Sequence, residues 1–326
     1  MPDHPTPVTA GATADAVAPV AAVDRSEEAQ VLQAALRSGA HVLLEGPPGT
    51  GKSTLLRQVA RERDIPFVLV EGNAELTPAR LVGHFDPALV LARGYSPEIF
   101  EDGPLLAAMR SGGLLYVEEL NRIPEETLNV LLAAMSEKEI TVPRLGCVVA
   151  APGFGLVAAM NPFDAIGTAR VSSALYDRTC RISMGYQPAG AERAIVALHT
   201  GGPGSTCSAG STGAAGPEWE AKVVEVVRAT REHPDLEWGS SVRGAIDVAR
   251  ITVELAALRG VPATEWHVGL AAAKASLTGR VRLHEGCGRT PEQVVTELWT
   301  RVFGPPPETD PPDGAPDSGE AGPGEP

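Results

Sequence analysis

The chain has 326 residues, a formal net charge of −14 and 43% hydrophobic residues, which fits about two globular domains. This acidic balance argues against a surface that neutralises nucleic-acid phosphates or binds an anionic membrane. The four cysteines lack metal-ligand spacing and no apolar run of about 18 residues occurs, so the sequence predicts no zinc site, disulfide framework or membrane span and favours a reducing cytoplasm.

Composition divides the chain into a folded middle and three segments that are poor in large apolar residues. Residues 1–24 lack periodicity, the stretch at about 201–217 is rich in Gly and Ser, and the tail at 304–326 contains Pro, Gly and acids. Such segments cannot bury enough apolar surface to offset chain entropy, so we expect disordered ends and a flexible insertion. The remainder is predicted to form an α/β domain over 25–186 and a helical domain over 187–303.

Strands and helices alternate in the first domain. A helix is predicted to begin with Ser26 as N-cap and to stop at Gly39. Five apolar runs are then predicted as strands: HVLLEG, PFVLVEG, GGLLYVEE, GFGLVAAMNP and TCRISM. Helical segments such as KSTLLRQVARER and PEETLNVLLAAMSE separate them, which predicts a parallel sheet covered on both faces. From Pro188 onward the pattern is helical only, and it includes SSVRGAIDVARITVELAALRG.

A phosphate-loop pattern, G-x-x-x-x-G-K-[ST], follows the first strand and opens a helix, as the pattern requires. Its residues are Gly46, Pro47, Pro48, Gly49, Thr50, Gly51, Lys52, Ser53 and Thr54. The glycines let backbone N–H groups face the phosphates of ATP, Lys52 is expected to reach the β- and γ-phosphates, and Ser53 can ligate Mg²⁺. An incidental lysine in a Gly/Pro loop is the alternative, and only four lysines occur in the chain.

The strand LLYVEELNR ends on two adjacent carboxylates, Glu118 and Glu119. In P-loop enzymes one acid at such a strand end holds magnesium and a further group orients the attacking water. Because adjacent strand residues point to opposite faces, we predict Glu118 as the metal-side acid and Glu119 as the water-polarising base. Glu118 stands where Asp is usual, and its additional methylene moves the carboxylate by about 1.5 Å, so that it can act through a water. Solvated acids at a strand end are the alternative.

Two further polar residues fit the same site. The segment GLVAAMNP ends a strand at Asn161, whose amide could hydrogen-bond the γ-phosphate or the water. The segment SSVRGAID places Arg243 in the first turn of a helix in the second domain, from which a guanidinium can reach the nucleotide. Each has an ordinary alternative, since Asn-Pro often starts a turn and arginines often occupy solvated helix faces.

This order of motifs resembles the AAA+ ATPases and, more narrowly, the MoxR family of the helix-2-insert group. The segments that carry the likeness, over residues 30–285, are LLEGPPGTGKST, LVGHFDP, EDGPLLAAMRSGGLLYVEELNRIPEETLNVLLAAMSEKEITV, LVAAMNPFDAIGTARVSSALYDR and SSVRGAIDVARI. The resemblance implies a five-stranded parallel sheet sandwiched by helices, an inserted helical segment at about 71–95, a hairpin at about 139–149 and an all-helical lid.

The same resemblance implies an ATP-driven homo-oligomeric ring, in general a hexamer, with the nucleotide between subunits. An arginine of the neighbouring subunit then completes the site, and the matching residue here is Arg178 in YDRTCR, with Arg181 as the alternative. Arg122 after ELN either faces the neighbouring subunit or is a surface arginine at a helix start. Glu118 departs from the Asp of the family, which leaves the hydrolysis rate open.

Three classes of function follow from these features. The resemblance favours an ATP-hydrolysing chaperone or remodeller that acts with a von Willebrand factor A domain protein, although a fold does not identify a client. A nucleotide-gated scaffold with negligible hydrolysis is the second class, and Glu118 is the feature that favours it. A nucleic-acid motor is the third, and the acidity and scarcity of lysines speak against it.

Overall fold

The computed structural model describes residues 22–162, 173–200 and 215–307. Most of the predicted disordered ends, 1–24 and 304–326, and most of the insertion at 201–217 lie outside the described residues. Residues 22–24 of the N-terminal segment are described. The Ala22 N–H donates a hydrogen bond of 2.9 Å to Gln58 Oε1.

Five parallel strands form the central sheet. The strands of the described residues are β1 (His41–Glu45), β2 (Phe67–Glu71), β3 (Gly83–Phe85), β4 (Phe100–Asp102), β5 (Leu114–Glu118), β6 (Glu139–Val142), β7 (Gly146–Val149), β8 (Gly155–Met160), β9 (Thr179–Ser183), β10 (Leu236–Trp238) and β11 (Arg282–Leu283). The order in the sheet is β2-β5-β8-β1-β9, and every pairing in it is parallel. The predicted fold class, a five-stranded parallel sheet sandwiched by helices, is confirmed.

The helices of the described residues alternate with these strands in the first half of the chain. They are α1 (Ser26–Arg37), α2 (Lys52–Glu62), α3 (Pro78–Val82), α4 (Pro87–Arg93), α5 (Pro104–Ser111), α6 (Glu125–Glu137), α7 (Ser173–Asp177), α8 (Ala189–Thr200), α9 (Pro217–Thr230), α10 (Val242–Arg259), α11 (Trp266–Leu277) and α12 (Pro291–Phe303). Helices α3 and α4 lie in the region of the implied insert, and β6 and β7 form the implied hairpin.

The central strands are apolar throughout because both faces of the sheet are covered. Alternate residues of β5 enter two different cores: Leu115 and Val117 pack with residues of α5 and α6, whereas Leu114 and Tyr116 pack with residues of α1 and α2. This alternation places Tyr116 and Glu118 on the same face of β5. The residues that end the strands therefore meet at the carboxyl edge of the sheet, where α/β folds bind ligands.

The start of α1 differs from the prediction. Arg25, not Ser26, occupies the N-cap, and no side chain caps the helix there. The Arg25 guanidinium is buried and donates to the carbonyl oxygens of Thr50, at 3.1 Å, and Gly185, at 2.5 Å. Tertiary bonding of this arginine to the phosphate loop thus outweighs the usual preference for Ser at an N-cap.

Contacts divide the chain into two compact units, one of Met1–Gly210 with Ser241–Ile246 and one of Ser211–Ser240 with Asp247–Pro326. The sequence placed the boundary near residue 186, where the pattern becomes helical. Helix α8 nevertheless belongs to the first unit, because its residues Ile195 and His199 line a cavity with the phosphate loop. Packing, and not the change of secondary structure, sets this division.

The second unit is mainly helical, and its core contains an aromatic cluster. Trp299 stacks on Phe303 with ring centroids 4.0 Å apart and meets Trp219 edge-on at 6.3 Å. The prediction of an all-helical domain is wrong in one respect, because β10 and β11 pair antiparallel within this unit. These strands have three and two residues, which is too short for a period-2 pattern to be recognised. Among the described residues, no helix has both the length and the apolarity needed to cross a bilayer.

Candidate nucleotide site

The phosphate loop joins the buried strand β1 to helix α2, and its glycines are required by close contacts. A Cβ atom on Gly46 would collide with the carbonyl oxygen of Met184. Gly49 has a φ of +76°, and a Cβ there would collide with the Ser241 hydroxyl. Since only glycine tolerates both the positive φ and the close approach, a side chain at Gly49 would distort the loop.

A cavity of about 160 Å³ lies against this loop and brings most of the predicted residues together. Its walls include loop residues 48–54 together with Tyr116, Glu118, Glu119, Asn161 and Arg243. The predicted loop residues Gly46 and Pro47 are not among the residues that line this cavity. Their carbonyl oxygens accept hydrogen bonds from Lys52. Cationic, acidic and amide groups therefore face one space, as a phosphate-binding site requires.

Two hydrogen bonds hold the Lys52 ammonium group against the phosphate loop. Lys52 Nζ donates to the carbonyl oxygens of Gly46, at 2.8 Å, and Pro47, at 2.9 Å. Burial, followed by the nearby charges of Arg243 and Arg25, lowers the pKa of Lys52 to about 8, and Glu118 acts in the opposite direction. A phosphate group would supply the negative charge that favours the ammonium form.

We expect nucleotide affinity to fall above pH 8. With a pKa of about 8 in the free protein, Lys52 must take up a proton to bind phosphate at higher pH. The linkage predicts an affinity that is level below pH 8 and about tenfold weaker at pH 9 than at pH 7. Titration of a fluorescent ATP analogue at several pH values measures this. The Lys52→Arg variant is the control, since its guanidinium stays charged; equal pH slopes in the two proteins would contradict the assignment.

Ser53 and Glu118 form a pair of oxygen donors suited to a hard cation. Glu118 Oε1 accepts a short hydrogen bond from the Ser53 hydroxyl, so the longer acid reaches the serine directly. The Tyr116 hydroxyl lies 3.2 Å from Ser53 Oγ. Oxygen ligands of this kind suit Mg²⁺, which keeps several waters and takes few protein ligands. The predicted metal residues thus fit the ion.

The backbone conformation of Glu119 differs from the strand conformation on which its predicted direction was based. Glu119 lies outside β5 with φ +50° and ψ +44°, a left-handed conformation, so strand alternation does not decide its direction. The Gly72 N–H donates to the Glu118 carbonyl oxygen at 2.8 Å, and a Cβ atom on Gly72 would collide with the Glu119 carbonyl oxygen, so the Gly72 backbone packs closely against this turn. The Glu119 carboxylate lines the cavity and pairs with Arg122 Nη1 at 3.0 Å.

Asn161 lines the cavity at the end of β8, as expected. Its carbonyl oxygen accepts a hydrogen bond of 3.4 Å from the amide of Asn121, which is buried in the 3₁₀ turn Leu120–Arg122. Sequence reasoning missed Asn121. The bond connects the turn after Glu119 to Asn161, which lines the cavity.

Arg243 also lines the cavity, but not from the second domain as predicted. The segment Ser241–Ile246 belongs to the first unit, and the Ser241 side chain packs on Gly49. The start of α10 is thus part of the phosphate site's own unit. The helical pattern of α10 runs across this division without a break, so the sequence carried no signal of it.

The two arginines proposed as a neighbour's contribution do not line this cavity. Arg178 is exposed, and its Nε donates to Ser136 Oγ at 2.5 Å while Nη1 donates to the Ala174 carbonyl oxygen at 3.0 Å. Arg181 forms a short ion pair with Glu45, whose carboxylate is buried and also accepts from the Tyr176 hydroxyl at 2.8 Å. Arg178 therefore has only neutral partners among these contacts, whereas Arg181 compensates a buried charge.

A second cavity of about 160 Å³ shares Gly49, Gly51, Thr54 and Arg243 with the first. Its other walls are Ala22, Val23, Gln187, Ile195, His199, Val242 and Ile246. Apolar walls with a few polar side chains suit a planar heteroaromatic base next to the phosphates. None of these wall residues was predicted, because they come from segments that are far apart in the sequence and have no shared motif.

Comparisons with known proteins support the fold at this point. Residues 41–179 match the family profile of the AAA domain, dynein-related subfamily. An uncharacterised protein of Staphylococcus aureus strain USA300 is 35% identical over 148 residues, which are 45% of this chain and 56% of the relative. The match thus spans only about half of that relative's length.

Two solved structures share the fold at low identity. NtrX from Brucella abortus, in complex with ADP, is 17% identical with a TM-score of 0.50, covering 70% of this chain and 48% of NtrX. An arginine-to-alanine variant of RuvB from Thermotoga maritima is 16% identical with a TM-score of 0.50, covering 78% of this chain and 70% of RuvB. Together with the profile match over residues 41–179, the five-stranded parallel sheet shows the AAA fold.

Proposed function

We propose that this protein is an AAA+ ATPase that binds and hydrolyses ATP with Mg²⁺. The observation that carries the proposal is the convergence of the phosphate loop, Glu118, Glu119, Asn161 and Arg243 on one cavity. Phosphoryl transfer needs positioned donors and charges more than covalent catalysis, and these residues supply them. The adjoining cavity supports the choice of a nucleotide over a simple phosphate.

Each residue has a role that its position supports. The loop N–H groups and Lys52 bind the β- and γ-phosphates, while Ser53 and Glu118 would hold Mg²⁺, which would supply positive charge to neutralise the phosphates. Arg243 lines the same cavity and stabilises phosphate charge. Asn161 orients the γ-phosphate or the water. Glu119 accepts a proton from the attacking water after its carboxylate leaves Arg122.

We further propose a MoxR-like remodeller that works as a ring, in general a hexamer, in which Arg178 acts on the neighbouring subunit's nucleotide. One observation supports Arg178 over Arg181: no carboxylate is among the contacts of Arg178 given above, whereas Arg181 is paired with the buried Glu45. A partner with a von Willebrand factor A domain, and a client protein, belong to this proposal on the resemblance alone.

A nucleotide-gated scaffold is a second candidate that two contacts favour. The Glu118 carboxylate is bonded to Ser53, and Glu119 is paired with Arg122. If neither acid is released when ATP binds, the nucleotide would change assembly without being hydrolysed.

The Glu119→Gln variant distinguishes the two candidates. We expect its steady-state ATP hydrolysis to fall by a factor of about 10² to 10⁴, the usual range for loss of a general base, with nucleotide affinity little changed. The matched control is Glu125→Gln, an exposed acid in the first turn of α6, which should keep the wild-type rate. Tight ATP binding with equally negligible hydrolysis in all three proteins would instead support the scaffold.

A further inference from the structure

Tyr116 is a buried polar residue at the metal side of the cavity that the roles above do not use. Its ring packs in the core between the sheet and helices α1 and α2, and its side chain is fully buried. Its hydroxyl lies 3.2 Å from Ser53 Oγ, and the Ser53 hydroxyl donates in turn to the Glu118 carboxylate. The Tyr116 hydroxyl is therefore linked through Ser53 to both residues that would hold Mg²⁺.

The position of Tyr116 follows from the strand. Tyr116 and Glu118 are separated by one residue in β5, so their side chains stand on the same face. Ser53 lies at the start of α2, which covers that face. A tyrosine two residues before the acid is thus long enough to place its hydroxyl beside the Ser53–Glu118 contact.

Glu118 has a specific need for such support. Glutamate has one more rotatable bond than aspartate, so its carboxylate samples more positions and loses more entropy when fixed. Groups that hydrogen-bond a metal ligand fix its orientation and tune metal affinity. A phenylalanine would fill the same core volume as Tyr116 but could not hydrogen-bond Ser53, which holds the carboxylate.

We propose that Tyr116 is a positioning residue that, through Ser53, fixes Glu118 for Mg²⁺ and compensates for its additional methylene. The proposal rests on the proposed function, since it concerns the metal of the same ATP site. It assigns to Tyr116 an effect on metal affinity, and none on the binding of nucleotide without metal.

The test is a double-mutant cycle with Tyr116→Phe and Glu118→Asp. In each protein, Mg²⁺ is titrated at a fixed, saturating concentration of a fluorescent ATP analogue, and nucleotide affinity is measured separately in EDTA. We expect Tyr116→Phe to weaken the apparent Mg²⁺ affinity about tenfold, the lower end of losses seen when support of a metal ligand is removed. That loss corresponds to about 1.4 kcal/mol. Tyr95→Phe, which changes a tyrosine that is 51% exposed, is the control.

The Glu118→Asp background distinguishes an effect of Tyr116 on the position of Glu118 from an effect of Tyr116 on packing of the core. In the Glu118→Asp background the acid has one rotatable bond fewer and needs less support, so Tyr116→Phe should change Mg²⁺ affinity by less than about twofold. Equal losses in both backgrounds, or no loss in either, would overturn the proposal.

Lys52→Ala, assayed in parallel, separates this inference from the proposed function. If Lys52→Ala still binds nucleotide normally, the assignment of the ATP site is wrong, and the inference about Tyr116 is rejected together with it. If Lys52→Ala loses binding while Tyr116→Phe keeps wild-type Mg²⁺ affinity, the ATP site stands and only the role of Tyr116 is rejected.

Discussion

The Lys52→Ala variant is expected to lose ATP binding, with affinity reduced by a factor of at least about 100, because a charge-assisted contact to phosphate in a partly buried site is removed. The loss has two parts. The triphosphate loses its cation, and the carbonyl oxygens of Gly46 and Pro47, which now accept from Lys52 Nζ, lose that donor.

The fold should survive this change, which makes the binding result interpretable. Lys52 is partly desolvated beside Arg243 and Arg25, so its removal relieves repulsion between like charges. We therefore expect a Tm close to that of the wild type without nucleotide, and loss of the ATP-induced rise in Tm. Lys222→Ala, an exposed lysine of α9 in the second unit, should behave as wild type. Normal ATP affinity in Lys52→Ala would reject the phosphate site.

The Arg178→Ala variant is expected to keep ATP binding and to lose turnover by about 10³-fold, the lower end of the effect of an arginine supplied by a neighbouring subunit. Arg178 does not line the cavity of its own chain, so its removal should leave nucleotide affinity unchanged. Its present contacts to Ser136 and Ala174 involve neutral acceptors, which a nucleotide phosphate can replace. Arg193→Ala, an exposed arginine of α8, is the matched control.

Mixing tests whether Arg178 acts on another subunit. Arg178→Ala subunits keep an intact Glu119, and Glu119→Gln subunits keep an intact Arg178. If each site uses the acid of one subunit and the arginine of the next, mixtures should recover part of the activity that both pure variants lack. A mixture that remains inactive at every ratio would count against action between subunits and would direct attention to Arg181.

The sheet and the phosphate site were predictable because their signals are local. The runs HVLLEG and GGLLYVEE are continuous apolar segments, as strands buried on both faces require, and both are strands β1 and β5 in the structure. The loop from Gly46 carries its own motif, and the polar residues Glu118 and Asn161 end neighbouring strands of a parallel sheet. Parallel strands bring such ends to one edge, so the clustering of these residues in the cavity follows from topology.

The remaining features depend on tertiary contacts that leave no local signal. Arg25 braces the phosphate loop from the N-cap of α1, where Ser26 was expected to cap the helix. Glu119 takes a left-handed conformation in a turn against which the Gly72 backbone packs closely. Arg243 belongs to the first unit although the helical pattern of α10 continues past it. In each case the feature involves residues that are distant in sequence.

The central claim is that this chain hydrolyses ATP at a site that neighbouring copies complete. The most direct measurement is phosphate release at saturating Mg²⁺ and ATP over a wide range of protein concentration, for the wild type and Glu119→Gln. We predict that the rate per subunit rises with concentration until it levels off in the wild type, and that it stays near background in Glu119→Gln. A wild-type rate per subunit that is independent of concentration, or equal to that of Glu119→Gln, would contradict the claim.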